Sequence, residues 1–158
     1  MLVRNATPND LPELTKLHAH LDHEEKLFGC VSIHPVTPDF IQQKLADPAT
    51  SFIVGDHDGH VVAFAYGTLN GNTLDLQNVY VEPDWRMNGV GRELLSHLFA
   101  DERAKHARVH VLKKNIYHTF WTNLGFTTVR EIVNAFELEL DFSRHARDVR
   151  RVGLRLNR

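Results

Sequence analysis

The chain has 158 residues, of which 42% are hydrophobic and 24% charged, a composition typical of one globular domain with a sizeable core. Its net charge of −2 combines a C-terminal segment that carries six arginines with an acidic body, which argues against a nucleic-acid partner. A single cysteine excludes an internal disulfide framework. Without a membrane-length apolar run or a signal-like N-terminus, we expect a cytoplasmic protein and no membrane partner.

Apolar periodicity and turn residues predict strands and helices along the whole body of the chain. Thr7 is a good N-cap, with Pro8 at the first helical position and Asp10 where a capping box places an acid. The pair Asp58-Gly59 is a strong hairpin signal. In chain order the predicted elements are a strand at 2–6, a helix from 8 to near 29, a helix from 38 to about 46, strands at 51–56, 60–69 and 73–81, a helix after residue 89, a strand at 108–112, a helix at 115–124, and strands at 127–132 and 135–141.

A strand, a glycine-rich turn and a helix follow one another directly within residues 73–99. The start of a helix leaves four backbone N–H groups without partners and carries partial positive charge, so it favours an anion such as phosphate. Gly89 and Gly91 allow backbone to approach a ligand closely and permit a positive φ. Arg86 adds a permanent charge and a donor fork suited to phosphate. The sequence therefore predicts a phosphate-binding turn, although neither the Gly-Lys-Ser/Thr loop nor the three-glycine dinucleotide pattern is present.

Three motifs carry a family resemblance. The pattern Arg-x-x-Gly-x-Gly at residues 86–91 follows Val-Tyr-Val-Glu-Pro at 79–83, and Phe-Trp-Thr-Asn-Leu-Gly-Phe stands at 120–126. In order and spacing these motifs resemble the GNAT superfamily of acyl-CoA-dependent N-acetyltransferases. The resemblance covers about residues 1–140 and implies an α/β (α+β) fold, with a mixed, mostly antiparallel sheet flanked by helices in the order β-α-α-β-β-β-α-β-α-β-β. We therefore predict one domain at residues 1–141.

The resemblance also implies where acetyl-CoA binds. In the family, the strand that ends at Val81 splays from the strand beginning near Arg108, and the pantetheine arm lies in the gap. The arm would satisfy backbone groups of Val79 and Val81, and a backbone N–H in the region of Tyr80 or Val81 would hold the thioester oxyanion. The cofactor-binding residues implied in this way are Val79, Tyr80, Val81, Arg86, Met87, Asn88, Gly89, Val90, Gly91, Arg92, Lys114, Asn115 and Trp121.

Acetyl transfer to an amine is helped by a base, and the departing thiolate needs a proton. For the base, Asp75 stands eleven residues before Arg86, where the histone-acetylating branch of the family carries a catalytic glutamate. The alternative for Asp75 is an acid at the surface edge of the strand. For the acid, Trp121 replaces the family tyrosine and cannot supply a proton, so Tyr117, one helical turn earlier, is the candidate. Trp121 is expected to pack under the pantetheine arm.

Several positions stay open at this point. Glu82 is a second candidate for the base. Glu24, Glu25 and His23, near the end of the first helix, would bind an amine electrostatically or belong to an exposed helix end. The asparagine of the family motif falls on Lys114, with Asn115 one residue late, and the spacing does not decide between them.

The eleven histidines do not indicate a metal site. In the densest group, His18 and His20 point about 200° apart on a helix, so three ligands do not converge, and we expect no metal. Cys30 is expected to be a buried small hydrophobe rather than a nucleophile. We predict an acetyl-CoA-dependent N-acetyltransferase that acts by direct attack of a primary amine, carried by a small molecule or a peptide. The alternative is an acyl-CoA-binding sensor or partner domain that has lost catalysis.

The basic tail at residues 142–158 matches nothing in the family fold. Val149, Val152 and Leu156 permit a weak basic amphipathic helix there. A solvated tail, a contact with an anionic surface and a contact with a second subunit stay open. A homodimer is compatible with the resemblance, because many family members pair through their last strands.

Overall fold

The computed structural model describes residues 1–30 and 36–145. Its strands are β1 Leu2–Asn5, β2 Thr50–His57, β3 His60–Asn70, β4 Thr73–Val81, β5 His106–Leu112, β6 Thr127–Glu131 and β7 Ala135–Asp141. Its helices are α1 Leu11–Leu27, α2 Pro38–Ala46, α3 Val90–Leu98, α4 His118–Asn123 and α5 Phe142–His145, with short 3₁₀ helices at Pro8–Asp10 and Pro83–Trp85. The predicted order of strands and helices is confirmed, and α5 is an addition to it.

The seven strands form one sheet in the order β1-β2-β3-β4-β5-β7-β6. All neighbouring strands run antiparallel except β4 and β5, which run parallel. The sheet is flanked by helices, as the sequence predicted.

Two apolar clusters hold the helices on opposite faces of the sheet. On one face, Leu94 and Leu98 of α3 and Trp121 of α4 are buried against inward-facing residues of the central strands. On the other face, Leu14 of α1 and Ile41 of α2 are buried against β2 and β3. Each such side chain contributes about 1.5–3 kcal/mol by leaving water, so the helices are fixed on the sheet by burial.

The pairing between β4 and β5 is short. The paired positions are Thr73–His106, Leu74–Ala107 and Asp75–Arg108. Beyond Asp75, β4 continues to Val81 along β3, whereas β5 stays paired with β7. The two strands therefore form a fork, closed at Asp75 and Arg108 and open toward their C-terminal ends. This is the splay that the family resemblance implied.

A bulge in the neighbouring ladder lies at the closed end of the fork. The register between β3 and β4 shifts so that Tyr66 faces Asn78 while Gly67 faces Leu76, which leaves Gln77 as an extra residue. A Cβ at Gly67 would approach the carbonyl oxygen of Asp75 to 3.0 Å. Glycine is favoured there, because a Cβ would force the backbone of Asp75 to shift slightly. Bulges bend and twist a strand, so this one turns β4 where it leaves β5.

The start of α1 is tied to the sheet by charged side chains. The carboxylate of Asp10 accepts the Thr7 N–H at 2.7 Å, in agreement with the predicted capping box. Arg4 of β1 donates to Asp10 and to Asp56 of β2, each at 2.9 Å. The Arg4 guanidinium holds the pKa of Asp10 below its usual value. These contacts orient α1, whose far end reaches the candidate site.

At the C-terminal end, the ring of Phe142 packs on Phe99 with 5.2 Å between the ring centroids. Its N–H donates to the carbonyl of Lys105 at 3.0 Å. Residues 146–158 lie outside the described residues, and with them the positions of the predicted amphipathic helix.

His18 is a buried histidine on α1. Its ring stacks on Phe64 with 4.2 Å between centroids, and Nδ1 donates to the Leu14 carbonyl at 2.8 Å. Nε2 has no partner among residues 1–30 and 36–145. Burial lowers the pKa of His18, so the folded protein keeps the ring neutral at a pH where the unfolded chain protonates it.

We therefore expect stability to decrease as the pH falls below about 6.5, the ordinary histidine value, because the unfolded state then binds an extra proton. The variant His18→Leu should weaken this pH dependence. The measurement is urea denaturation at pH 7.5 and pH 5.0. His20→Leu changes an exposed histidine on the same helix and should keep the wild-type pH dependence. Equal behaviour of the two variants would contradict the role of His18.

Candidate active site

A cleft of about 850 Å³ lies within the fork. Its walls are residues 77–81 of β4, residues 109–111 of β5, the end of α1, the turn between β4 and α3, and residues from α4 and the segment before it. The cleft thus collects groups from the turn that resembles a phosphate site and from the helix that carries two adjacent glutamates.

The turn before α3 presents unpartnered backbone N–H groups. Gly89 begins the helix in the left-handed conformation with φ of 80°. The first amide of α3 with an acceptor is that of Glu93, which donates to the Gly89 carbonyl at 3.0 Å. The N–H groups of residues 89–92 find no acceptor among the described residues. Such a helix start attracts an anion.

The side chains around this turn leave room for a ligand. A Cβ on Gly91 would lie 3.5 Å from the ring of Phe120, an ordinary contact. Packing within the protein therefore does not require glycine at 91, whereas close approach of a phosphate to the backbone would favour it. Met87 has φ of 61° and a fully exposed side chain at the cleft. A non-glycine residue held at positive φ is uncommon and is often found at functional turns.

The backbone of β4 offers further groups inside the fork. The N–H of Glu82 donates to Val62 of β3 at 2.9 Å. Because successive residues of a strand direct their backbone groups to opposite sides, Val79 and Val81 direct theirs into the fork. By the same alternation the N–H of Tyr80 points to β3. Of the two residues predicted to hold an oxyanion, Val81 is therefore the one whose N–H faces the cleft.

Arg86 is held by protein groups. Its Nε donates to the Val81 carbonyl at 2.7 Å, and its Nη2 donates to both carboxylate oxygens of Glu24 at 2.7 and 2.9 Å. The guanidinium carbon also lies 5.5 Å from the centroid of the Tyr80 ring. From its charge alone, Arg86 was predicted to contact phosphate. In the structure its guanidinium group binds Glu24 instead. Arg86 thereby fixes the end of α1 against the turn.

Tyr80 shares this arrangement. Its hydroxyl donates to Oε1 of Glu24 at 3.3 Å. Burial, together with the negative charge of Glu24, raises the pKa of Tyr80 to about 12, so the phenol stays protonated at neutral pH. On the same face of β4, the Asn78 side chain donates to the hydroxyl of Tyr66 at 3.1 Å.

Glu25 is an acidic group of the cleft without an ion-pair partner among the described residues. Burial, and then the charge of Asp22, raise its pKa above the ordinary value. Cys30 lines the same wall, and burial followed by the charge of Glu25 raises the pKa of its thiol, which the charge of Lys114 lowers. The Nζ of Lys114 lies 3.9 Å from the place of a Cβ on Gly29. A negative and a positive group thus flank the thiol.

The opposite wall comes from α4 and the residues before it. The hydroxyl of Tyr117 lines the cleft 3.4 Å from Nη1 of Arg86. Trp121 also lines the cleft and is buried. The predicted helix start at 115 is wrong: the side chain of Asn115 accepts the Tyr117 N–H at 2.7 Å in a local turn, which delays the helix to His118.

Three of the predicted site residues stand outside the lining of the cleft, namely Asp75, Asn88 and Lys114. Asp75 lies at the closed end of the fork, where its Oδ1 accepts from Nε of Arg108 at 2.7 Å. The Asn88 side chain donates to the carbonyl of Arg86 at 3.0 Å. All other predicted cofactor-binding residues, and Tyr117, line the cleft.

The sequence did not single out His110, which lines the cleft from β5. Its Nε2 lies 2.9 Å from Oε2 of Glu137 on β7. The alternation of apolar and polar residues in β5 could have indicated His110. Val109 and Val111 on either side are buried in the core, so the polar residue between them faces the other side of the sheet.

Among residues 1–30 and 36–145, no cluster of three or more histidine, cysteine, aspartate or glutamate side chains suits a metal ion. No helix in that part of the chain is long and apolar enough to cross a membrane.

A family model described as "Acetyltransferase (GNAT) domain" matches residues 48–128, about half of the chain. The chain belongs to the GNAT acetyltransferase family. The chain is also similar to a phosphinothricin N-acetyltransferase of Alcaligenes faecalis, with 32% identity over 108 residues, 62% of this chain and 53% of that protein. It therefore spans about half the length of this curated relative.

Solved structures support the GNAT fold. The PaiA N-acetyltransferase of Thermoplasma acidophilum, solved in complex with coenzyme A, has a TM-score of 0.76 at 15% identity, over 89% of this chain and 98% of that one. The ribosomal-protein-S18-alanine N-acetyltransferase of Escherichia coli has a TM-score of 0.66 at 18% identity, over 87% and 90%.

The matched part of this GNAT domain contains the fork, the turn before α3, and α4. Helix α1, which supplies Glu24 and Glu25, precedes the matched residues. The turn that fits phosphate therefore belongs to the family pattern. The acidic wall comes from a part of the chain that the family model does not match.

Cys30 is the single cysteine of the chain, so its alkylation reports on one position. Because burial and Glu25 raise the pKa of its thiol, iodoacetamide should react slowly at pH 7.5. Glu25→Gln should accelerate the reaction, because the nearby negative charge that disfavours the thiolate is removed, and Lys114→Gln should slow it. Mass spectrometry over time measures the rates. Glu82→Gln, outside the cleft lining, should leave the rate unchanged, and an equal effect of the two glutamate variants would contradict the described wall.

Proposed function

We propose that this GNAT domain is an acetyl-CoA-dependent N-acetyltransferase that acts on a primary amine by direct attack within a ternary complex. The observation that carries the proposal is a fork that opens beside a helix start whose first amides, at residues 89–92, have no acceptor among the described residues. A diphosphate suits the helix start. An amide-bearing arm suits the backbone groups of Val79 and Val81.

In this reaction the amine nitrogen attacks the thioester carbonyl carbon and the carbon–sulfur bond breaks. An acceptor that arrives as an ammonium ion loses two protons from nitrogen, one before the attack and one after it. The CoA thiolate takes up one proton, and the other passes to solvent. A backbone N–H directed to the carbonyl oxygen stabilises the negative charge that develops there. The N–H of Val81 is our candidate, because it faces the fork and lies on a buried, well-anchored strand.

Glu25 is our candidate for binding the incoming ammonium group. It lines the cleft, it has no ion-pair partner in the described part of the chain, and it lies beside Glu24, whose charge Arg86 already balances. Bringing a cation next to a partly buried carboxylate offsets the desolvation that raises the pKa of Glu25. Glu25 thus favours an acceptor that arrives positively charged.

Tyr117 is our candidate for returning a proton to the thiolate. Its hydroxyl lines the cleft 3.4 Å from Nη1 of Arg86, within reach of a thiolate bound there. Trp121, in the place of the family tyrosine, packs against Phe126 and has no acidic proton to give.

Binding of acetyl-CoA is tested by calorimetric titration of the wild type and of Gly89→Glu. The new side chain adds bulk and negative charge at the proposed phosphate position, so we expect binding to weaken by about 100-fold or more. Gly59→Glu is the matched control: Gly59 has φ of 85° in the β2–β3 turn, similar to 80° at Gly89, and an added Cβ there meets nothing within 4 Å. The proposed site would be contradicted if the wild type did not bind acetyl-CoA, or if binding weakened equally in both variants.

Acceptor binding is tested by thiol release with phosphinothricin and with a peptide that has a free N-terminal alanine, the acceptors that the names of two similar proteins suggest. Glu25→Gln should raise KM for the amine by about tenfold while kcat changes little, because a charge-assisted contact is lost from the bound amine. Tyr117→Phe should lower kcat instead. Unchanged kinetics in both variants would remove these two roles and leave the acetyl transfer standing.

One observation supports a second function. With Trp121 in the position of the family tyrosine, a domain that keeps the cofactor site and lacks catalysis would act as an acyl-CoA sensor. Tight binding of acetyl-CoA without turnover of any primary amine would favour this alternative.

A further inference from the structure

His110 is the first side chain of β5 on one face of the fork beyond its closed end. Arg108 pairs with Asp75 at the last common position of β4 and β5. Because side chains alternate along a strand, His110 lies on the same face as Arg108, two residues further into the opening. Val109, between them, is buried in the core under α3 and α4.

That face of the fork is the one on which the two glutamates of α1 lie. Asn78 of β4 bonds to Tyr66, and both Tyr66 and Tyr80 pack in the core under α1. Tyr80 in turn bonds to Glu24. His110 therefore faces the side of the cleft that Glu24 and Glu25 border, opposite the side of α3 and its unpartnered amides.

The imidazole of His110 is held by a buried carboxylate. Nε2 lies 2.9 Å from Oε2 of Glu137, a residue only 7% exposed. The same oxygen accepts from Nη2 of Arg130 on β6, also at 2.9 Å. Arg130, and then His110, hold the pKa of Glu137 below its usual value, so this carboxylate is ionised at neutral pH.

This contact selects one tautomer of the ring. An ionised carboxylate only accepts hydrogen bonds, so Nε2 carries the hydrogen. In the neutral ring Nδ1 is then a bare acceptor, and it has no hydrogen-bond partner among the described residues. The side chain is 51% exposed and lines the cleft. A carboxylate that orients a histidine and stabilises its cation is a recurring arrangement in proton transfer.

We infer that His110 accepts the proton that the acceptor amine loses during acetyl transfer, and that Glu137 positions the ring for it. The inference rests on the proposed function. One N–H bond of the ammonium group breaks, its proton goes to Nδ1 directly or through one water, and the freed electron pair on nitrogen forms the bond to carbon. The second proton leaves nitrogen after the attack and balances the proton that the thiolate takes up. His110 becomes an imidazolium beside the Glu137 carboxylate, and it returns the proton to solvent after the product leaves.

If His110 is the base, Asp75 has a structural role. Asp75 lies at the closed end of the fork, outside the cleft lining, and its carboxylate is bound to Arg108. An aspartate held there keeps β4 and β5 together, whereas His110 lies in the opening. Glu25 then binds the ammonium form of the acceptor, and His110 removes a proton from it.

The first test needs no acceptor. Protein labelled with ¹⁵N-histidine is studied by long-range ¹H–¹⁵N NMR, with His110 identified by the signal that disappears in His110→Gln. We expect the Nε2–H tautomer with and without acetyl-CoA. In Glu137→Gln the amide no longer fixes the ring, and a mixture of tautomers should appear. A pure Nδ1–H tautomer in the wild type would overturn the inference.

The second test is kinetic, with the two acceptors named above. His110→Gln should lower kcat by about 100-fold, within the range for loss of a general base, with KM for acetyl-CoA unchanged. Added imidazole should restore part of the activity of His110→Ala. Glu137→Gln should lower kcat by about tenfold, as expected for a residue that orients another. His106→Gln, on the same strand at the closed end, is the matched control and should keep wild-type kcat.

The possible outcomes distinguish a failure of the role of His110 from a failure of the proposed acetyltransferase function. If the wild type acetylates an amine and His110→Gln does so equally well, His110 is not the base, while the acetyltransferase stands. If Asp75→Asn loses activity and His110→Gln does not, the inference is overturned and Asp75 becomes the candidate base. If the wild type binds no acetyl-CoA and acetylates no amine, the proposed function fails and the inference fails with it.

Discussion

The site depends on the point where β4 and β5 stop pairing. Three residue pairs hold the strands together, and the ion pair between Asp75 and Arg108 lies at the last of them. The bulge beside Gly67 turns β4 away at the same level. Strands that separate inside a sheet leave backbone groups without partners, an arrangement that a protein retains where a ligand supplies them. The fork is thus the structural irregularity of the sheet, and in the proposed function an extended ligand completes it.

The order of strands and helices could be predicted because its signals are local. Proline, glycine, capping residues and apolar alternation lie within a few residues of the structure they determine. The boundaries of β4 and α2 agree with the prediction. The predicted start of α4 was wrong, because the side chain of Asn115 accepts a hydrogen bond from the Tyr117 N–H. The fork could not be derived from periodicity, since residues 76–81 alternate in the same way whether or not a strand lies beside them. Only the resemblance to a family indicated it.

The ion-pair partners of charged side chains could not be predicted from the sequence, for a physical reason. Arg86 and Glu24 are 62 positions apart, and nothing local distinguishes an arginine that holds phosphate from one that holds a carboxylate. His110 and Glu137 meet only because β5 and β7 are adjacent in the sheet, in a register that places them opposite each other. Residue type and spacing indicated a candidate site at residues 86–91, because glycine and the helix start define it. For Glu24 and Glu25 they left the role open, because tertiary structure decides which of the two glutamates is paired with Arg86.

The two sides of the cleft have opposite electrostatic character, and this decides which ligand enters where. The turn before α3 offers backbone N–H groups and the positive end of a helix dipole, which favour phosphate. The end of α1 offers Glu25 with its charge uncompensated by any described ion pair, beside a Glu24 that Arg86 neutralises. Through its hydrogen bonds to both oxygens of Glu24, the guanidinium of Arg86 is held at that carboxylate. In the proposed function, Glu25 is then the carboxylate of this wall that is left for a cationic amine.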